Sequence, residues 1–539
     1  MSAPRRQESR QSSRVRAARR ARPWIGVGLC LLPQATLRAS QSVKLNGPMP
    51  QSGAGRIVSF QVTSDGGHVV YSVDQDQFWP PDELYGVPTD GSASPVQLNL
   101  PLTLEQDLGP WQVTPDGSHV VFVVYWGGLM SAPVNGSAPP IHIAGIGCAT
   151  CDDSDFAFQV SADGTHVLYR PEENHFDPDP LYAVPVDGSQ FPVQLSEPGA
   201  MVTDFRTTLD GSRALFVSSI YGEGTHLFCR AIDGSSAAVM LDVGLGVGYG
   251  QPRYSFTPDG STVVFSAYSP TEGLGLYAAP IDGGSNPIRL SEPMTPYGDI
   301  VGHQLSPDGT WVLYSADAIQ DGRFELFSAS IDASGPVIQL NHALAADGDV
   351  RGYQFSPDST RVMYSARENG VEQIYSVPCD RSQNPVRING RLVPGGQVMA
   401  ASISPDSRRV VYVADERKDG LFELYISPID GGRRPRVRRP APAHGGSIGS
   451  FRFGPDGTRV VYTVERDTLG TDELYSLAID GSAPPLQLNA ALPPGALSSF
   501  EVSADGRAVF LQTAQSDSGP FLYSVPIDLS RLPLALAPP

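Results

Sequence analysis

The chain offers few residues whose type and spacing could do covalent chemistry. Gly445-Gly446-Ser447-Ile448-Gly449 matches the G-x-S-x-G pattern, and His444 stands beside it. A nucleophile elbow needs a strand before the serine and a helix after it, whereas here a Pro-rich stretch leads into a strand over Phe451 to Phe453, so the match is accidental. Cys148-Ala149-Thr150-Cys151 is C-x-x-C, but a zinc site wants a second ligand pair and none follows. In an exported protein a local disulfide between Cys148 and Cys151 leads, with free thiols and metal or redox work as alternatives. The acidic runs Asp152-Asp153, Asp177-Pro178-Asp179 and Asp347-Gly348-Asp349 lack the terminal Glu of a calcium loop. Calcium stays open on these carboxylates; no other cofactor and no defined metal site is expected. Lys44 and Lys418 are the only lysines, which leaves almost no candidate for Schiff-base chemistry.

The elements that must position these residues are set by repetition. Asp65, Asp116, Asp163, Asp210, Asp259, Asp308, Asp358, Asp406, Asp456 and Asp505 recur at gaps of 47 to 51 residues. The sixth copy shows the unit: Ser306-Pro307-Asp308-Gly309, then TWVLYS over 310–315, then ELFS over 325–328, then Ile331-Asp332, then VIQLN over 337–341. Pro-Asp-Gly is turn chemistry, and each copy holds four short β-prone runs. The second run is continuously apolar, as expected when both faces of a sheet are covered. Four strands per 47 to 51 residues predicts an all-β fold, a β-propeller of ten tandem four-stranded repeats, as one large ring or two smaller ones. Ser42 to Asn46 (SVKLN) matches an outer strand without its own blade and is expected to close the ring beside the last repeat; Leu532 to Leu536 could fill the same place. Arg433 to His444, with five Arg and three Pro, interrupts the pattern where an outer strand is due. Cys229 and Cys379 fall at third-strand positions as small buried residues. His68, His119 and His166 share one repeat position, where Trp311, Arg361, Arg409 and Arg459 stand in other copies. Equal positions around a ring do not converge on a metal.

The Ser-Pro-Asp-Gly turn, the apolar strand with Tyr or Phe and the L-Y-x-x-x-x-D-G element resemble the TolB-type, WD-repeat-like (Pro-Asp repeat) propeller family over about residues 42 to 538. The resemblance implies the propeller fold. That family carries an α/β domain ahead of its propeller, for which there is no room here, so a Tol-Pal role is not carried over. Propeller-bearing serine peptidases are also similar, but their α/β-hydrolase domain has no counterpart in the repeats.

Residues 1–40 hold nine Arg and one Glu, eight of the Arg ahead of a short apolar stretch from Trp24 to Leu32, which reads as an export signal, with residues 41–539 as the propeller domain. This places the mature protein in the periplasm or outside the cell. The rest of the chain carries 29 basic and 56 acidic residues, a formal charge of −27 that repels nucleic acid. No later segment reaches about 18 apolar residues, so no transmembrane helix is expected in the mature chain.

In an up-down sheet the Pro-Asp-Gly and Asp-Gly turns share one face, and every other connection emerges on the opposite face. Those other connections vary in length and composition, and binding residues concentrate on such loops. Trp79, Tyr125, Trp126, Asp152, Asp153, Asp155, His175, Asp177, Asp179 and Tyr221 are the binding candidates on that variable-loop face. With no catalytic constellation, the expected function is that of a non-enzymatic binding or scaffold protein for a protein or peptide partner. A glycan- or peptide-acting hydrolase or lyase with carboxylates at the channel mouth, or a purely structural surface protein, is the alternative.

Overall fold

The computed structural model describes residues 42–46, 56–74, 83–103, 106–145, 157–171, 179–220, 224–247, 253–295, 298–432, 436–437, 446–466, 472–489, 495–514 and 521–529. These form forty strands in ten four-stranded antiparallel sheets, with no helix among the described residues. Each sheet is one blade, and nine of them run inner, second, third and outer strand in chain order. Blade 6, for example, comprises Ile300–Leu305, Trp311–Ala316, Glu325–Ser330 and Ile338–Gln339.

The tenth blade is completed differently. Its outer strand is Val43–Lys44, paired with Phe521–Pro526, so the start of the repeat region closes its end. Leu45 is buried there, and Asn46 Oδ1 accepts the Leu522 amide at 3.1 Å. SVKLN therefore takes the closing position foreseen for it; 532–536 lies outside the described residues.

Ten apolar clusters fill the spaces between blades. Nine join consecutive blades, and the tenth packs Val509, Leu511 and Leu522 of blade 10 against Ile57, Val69 and Tyr71 of blade 1. The repeats thus make one ring of ten blades, which decides between the two ring arrangements. In nine blades the second-strand aromatic stacks on its third-strand partner, as Tyr412 does on Tyr425 at 5.2 Å between ring centroids. Blade 2 pairs Phe122 with Met130 instead. This is the physical content of the recurrent Tyr: offset-stacked rings fill the blade without a cavity.

The repeated Asp caps its turn. In blade 4, Asp210 Oδ1 accepts from Thr208 Oγ1 at 2.5 Å and from the Ser212 amide at 3.0 Å, while Oδ2 accepts from Ser212 Oγ at 2.8 Å. Successive turns also touch: a Cβ added to Gly211, at φ +70°, would meet the Asp163 side chain of the preceding turn at 2.3 Å. Ser359 and Ser407 accept the strained left-handed conformation at the same position, and each hydroxyl bonds the amide of the preceding turn's Asp at 3.0 Å. Third-to-outer turns lie on this same face, since Thr89 Oγ1 donates to Gly66 O at 2.6 Å.

Two expectations are corrected in detail. The Arg- and Pro-rich interruption retains an outer strand, Arg436–Val437, paired with Tyr425 and Ile426. The backbone ladder needs no particular side chain there, which is why composition hid it. Cys379 lies just past the third strand Val371–Pro378, whereas Cys229 lies within Gly224–Ala231; both are buried free thiols.

Candidate functional site

The candidates on the variable-loop face divide sharply. Trp79, Asp152, Asp153, Asp155, His175, Asp177, Tyr221, Cys148 and Cys151 lie outside the described residues. Tyr125 and Trp126 sit in the tight connection between the second and third strands of blade 2, on the expected face. Tyr125 packs on the apolar cluster shared with blade 3 and is a packing residue. Trp126 is 59% exposed and held at φ +63°, an uncommon conformation for a bulky residue. Asp179 stands half-buried at the same face in blade 3, with its carbonyl accepting the Val202 amide at 3.1 Å.

A cleft of about 380 Å³ opens at this face between the inner strands of blades 9 and 10. Gly446–Phe453 contributes Ser450 and Arg452, Gly495–Val502 contributes Leu497, Ser498, Ser499 and Phe500, and Asp472 reaches in from the loop before the third strand of blade 9. Asp472 Oδ2 holds the Leu497 amide at 3.0 Å, and its carbonyl accepts from Asn489 Nδ2 at 3.0 Å, so the cleft wall is fixed by hydrogen bonds. Arg452 Nη1 donates to Phe451 O at 3.0 Å. Glu501 accepts the Val62 amide at 3.1 Å; burial raises its pKa, against that hydrogen bond and the charge of Arg452. A guanidinium, a carboxylate and several hydroxyls suit the charges and amides of a peptide chain. The lining carries one carboxylate and, among the described residues, no imidazole beside its serines. Ser447 lies within a strand, opposite Glu465, so the G-x-S-x-G run is no elbow.

Half a ring away, the inner strands of blades 4 to 6 hold a second polar group. Arg206 lies over the Tyr254 ring at 5.3 Å, and both ring nitrogens of His303 are buried without a hydrogen-bond partner. Burial, with Arg253 and Arg206 nearby, pushes the His303 pKa down to about 4, so the ring is neutral. His303 occupies the inner-strand position that is aromatic in blades 1 to 5, 7, 9 and 10, and packing explains it. Sequence reasoning missed Arg206, Arg452 and Glu501. Their signal was charge at the inner-strand position held by Gln61, Gln112, Gln304 and Gln354, where a Gln carbonyl clamps the next blade, as Gln61 Oε1 does the Val113 amide at 3.3 Å.

Two His–carboxylate pairs also lie on the loop face. His226 Nδ1 is 3.0 Å from Asp242 Oδ2, and His342 Nε2 is 3.0 Å from Glu368 Oε2. Asp242 occupies the site where Asn99, Asn341, Asn389 and Asn489 accept a third-strand amide, and it does the same for Leu227 at 3.1 Å. Burial raises its pKa, against the hydrogen bond from His226. Asp347 and Asp349 are engaged by the amides of Asn369 and Phe324, at 3.1 and 3.0 Å. Among the described residues no group of three His, Cys, Asp or Glu could hold a metal.

Comparison with solved structures places similar chains beside this one. A protein of Agrobacterium tumefaciens described as a TolB is 22% identical, with 46% of this chain and 83% of that chain covered and a TM-score of 0.27. Dipeptidyl peptidase 4 of Porphyromonas gingivalis is 13% identical, with 75% of this chain and 64% of that chain covered and a TM-score of 0.45. No protein-family model and no curated protein matches the chain. The fold is a ten-bladed β-propeller. No helix of the described residues is long and apolar enough to cross a membrane, which says nothing of membrane β-barrels.

Proposed function

We propose that this propeller is a non-enzymatic binding scaffold, exported to the periplasm or beyond, that takes a protein or peptide partner on its variable-loop face. The observation that carries the reading is the cleft between blades 9 and 10, where Arg452, Asp472 and the seryl hydroxyls converge at that end of the ring. Trp126 supports it as an exposed aromatic on a rigid two-strand turn, the kind of anchor that dominates interface energetics. The acidic body favours a partner with basic segments. The test is capture from a cell-envelope extract by the full chain and by Trp126→Ala and Arg452→Ala variants. Loss of one captured protein with both variants, at unchanged melting temperature, is the expected result; capture undiminished by either removes the reading. Sequencing the N-terminus of the envelope form tests export, and a cytoplasmic form retaining Arg5 counts against it.

A further inference from the structure

At the start of each second strand, on the turn face, stands one recurrent repeat position. It is His in blades 1 to 3, Arg in blades 4 and 7 to 10, Thr262 in blade 5 and Trp311 in blade 6. In blades 7, 9 and 10 the slot is built for a guanidinium. Arg361, Arg459 and Arg507 each donate from Nε to a serine on their own third strand, Ser376, Ser476 and Ser524, at 3.0, 2.7 and 2.6 Å. Each also lies within electrostatic reach of the Asp that caps the third-to-outer turn of the following blade, namely Asp430, Asp528 and Asp90. Asp480 feels Arg409 in the same way. In blades 7, 9 and 10 the internal arginine therefore joins neighbouring blades through a hydroxyl below and a carboxylate ahead, and in blade 8 Arg409, with Ile426 at the serine position, has the carboxylate alone.

Between blades 5 and 6 this filling is missing twice over. Thr262 stands where the arginine would, and Ala278 stands where the serine would. A cavity of about 560 Å³ remains, lined by both residues, Asn286, Ile288 and Asp332, within the size range of ligand pockets. Asp332, the turn carboxylate of blade 6, keeps the hydrogen bond from the Ser334 amide at 3.0 Å, but no basic side chain among the described residues pairs with it. Asn286 and Asp332 are exposed, so the slot opens to solvent. The same position in blade 6 is occupied by Trp311, which packs on the apolar cluster between blades 6 and 7 and also lines this cavity. At this interface the counter-charge is in place without an internal arginine.

We propose that the slot between blades 5 and 6 binds an arginyl side chain presented by a polypeptide, its aliphatic stem along Ala278 and Ile288 and its guanidinium facing Asp332. The site lies on the face opposite the proposed partner surface and stands independently of it. The ligand chemistry follows from what fills the equivalent slots: a planar cation with donors suited to a carboxylate, on an apolar stem.

Calorimetry on the full chain tests this with three probes: N-acetyl-arginine amide, an acetyl-Gly-Arg-Gly amide peptide, and the same peptide with citrulline in place of arginine. Both arginine probes are expected to bind, and citrulline, which keeps the shape but not the charge, should bind at least about tenfold more weakly. Thr262→Arg supplies the internal side chain used by blades 7 to 10 and should abolish binding while retaining the native melting temperature. Asp332→Asn should weaken binding by about tenfold or more. No binding of either arginine probe, equal binding of citrulline, or undiminished binding by a folded Thr262→Arg overturns the proposal. Binding of the blocked single arginine without the peptide overturns the polypeptide source. Should Thr262→Arg not fold, Asp332→Asn decides alone, and undiminished binding by it overturns the proposal. The partner capture test on Trp126 and Arg452 is unaffected by either substitution, so the two readings fail separately.

Discussion

The two faces of the ring are made from opposite ends of the same forty strands, yet they are held together differently. On the turn face, the blades share recurrent groups: the capping Asp, a Gly or Ser that in most blades touches the preceding turn and, outside blades 5 and 6, an Arg or His at the start of the second strand. On the loop face the closures are shared by fewer blades: Asp415 holds the Gln397 and Gly420 amides as Asp317 holds those of Asp299 and Gly322, whereas Glu416 takes Tyr412 and Gly390, and Glu368 takes His342 and Ala345. Repetition on one face holds the ring in register, and this frees the other face to diverge. A solenoid closed into a circle needs only one of its two rims to be uniform.

The strongest way to break the comparison is to open the ring, because both faces depend on closure. Leu45→Ala removes a fully buried side chain from the joint between blades 10 and 1, and the expected loss is about 2–5 kcal/mol, read as a lowered midpoint in denaturant unfolding. An unchanged midpoint would mean that the ring is held without Val43–Lys44 as its tenth outer strand.

Next in size is a turn-face cap. Asp210→Ala deletes three hydrogen bonds in one turn and should cost about 1–2 kcal/mol, as the loss of an N-cap does. The loop-face counterpart runs the other way. Burial raises the pKa of Glu416, so its charge is a liability at neutral pH, and Glu416→Gln should raise the melting temperature slightly.

Acid separates the two faces further. The hydrogen bonds from Thr208 and Ser212 hold the Asp210 carboxyl below its ordinary value of 3.8, so its contribution is complete above that pH and is lost as pH falls through the lower folded value. Glu416 has a folded pKa above 4.5, so its penalty is present at neutral pH and is relieved as pH falls toward 4.5. The advantage of Glu416→Gln should shrink between pH 7 and 4.5, while the deficit of Asp210→Ala persists to about pH 4 and disappears only below it. Melting curves across that range check both, and parallel curves for the two variants would contradict the distinction.

Much of the uniform face was legible before any coordinates. The Asp spacing announces ten blades because one side chain caps the same turn each time, and SVKLN announces the closure because it carries an outer strand's pattern with no blade of its own. Ring number was not legible, since the packing of Leu511 on Ile57 joins residues more than 400 positions apart and leaves no local mark. The arginine ladder was half visible: the repeat position of His68, Arg361 and Arg459 could be read, but its partner on the following blade needed the register of two sheets. The loop face was least legible. Tyr125 and Trp126 are neighbours of equal aromatic character, and only the fold turns one into the core and the other toward solvent. Arg452 and Asp472 meet across 20 positions through a loop whose geometry no repeat dictates.

The smallest expected stability effect accompanies the largest functional one. Trp126→Ala should change stability by about 0.5 kcal/mol or less, since the side chain is mostly in water, while reducing partner capture.

The most direct test of the two-face account places a photo-crosslinking benzoylphenylalanine at position 126 on the loop face and, separately, at position 408 in the exposed turn of blade 8, in cells expressing the full chain. The account predicts a discrete higher-mass adduct from position 126 and none from position 408; an adduct from 408 with none from 126 would show that the repetitive face, not the divergent one, receives the partner.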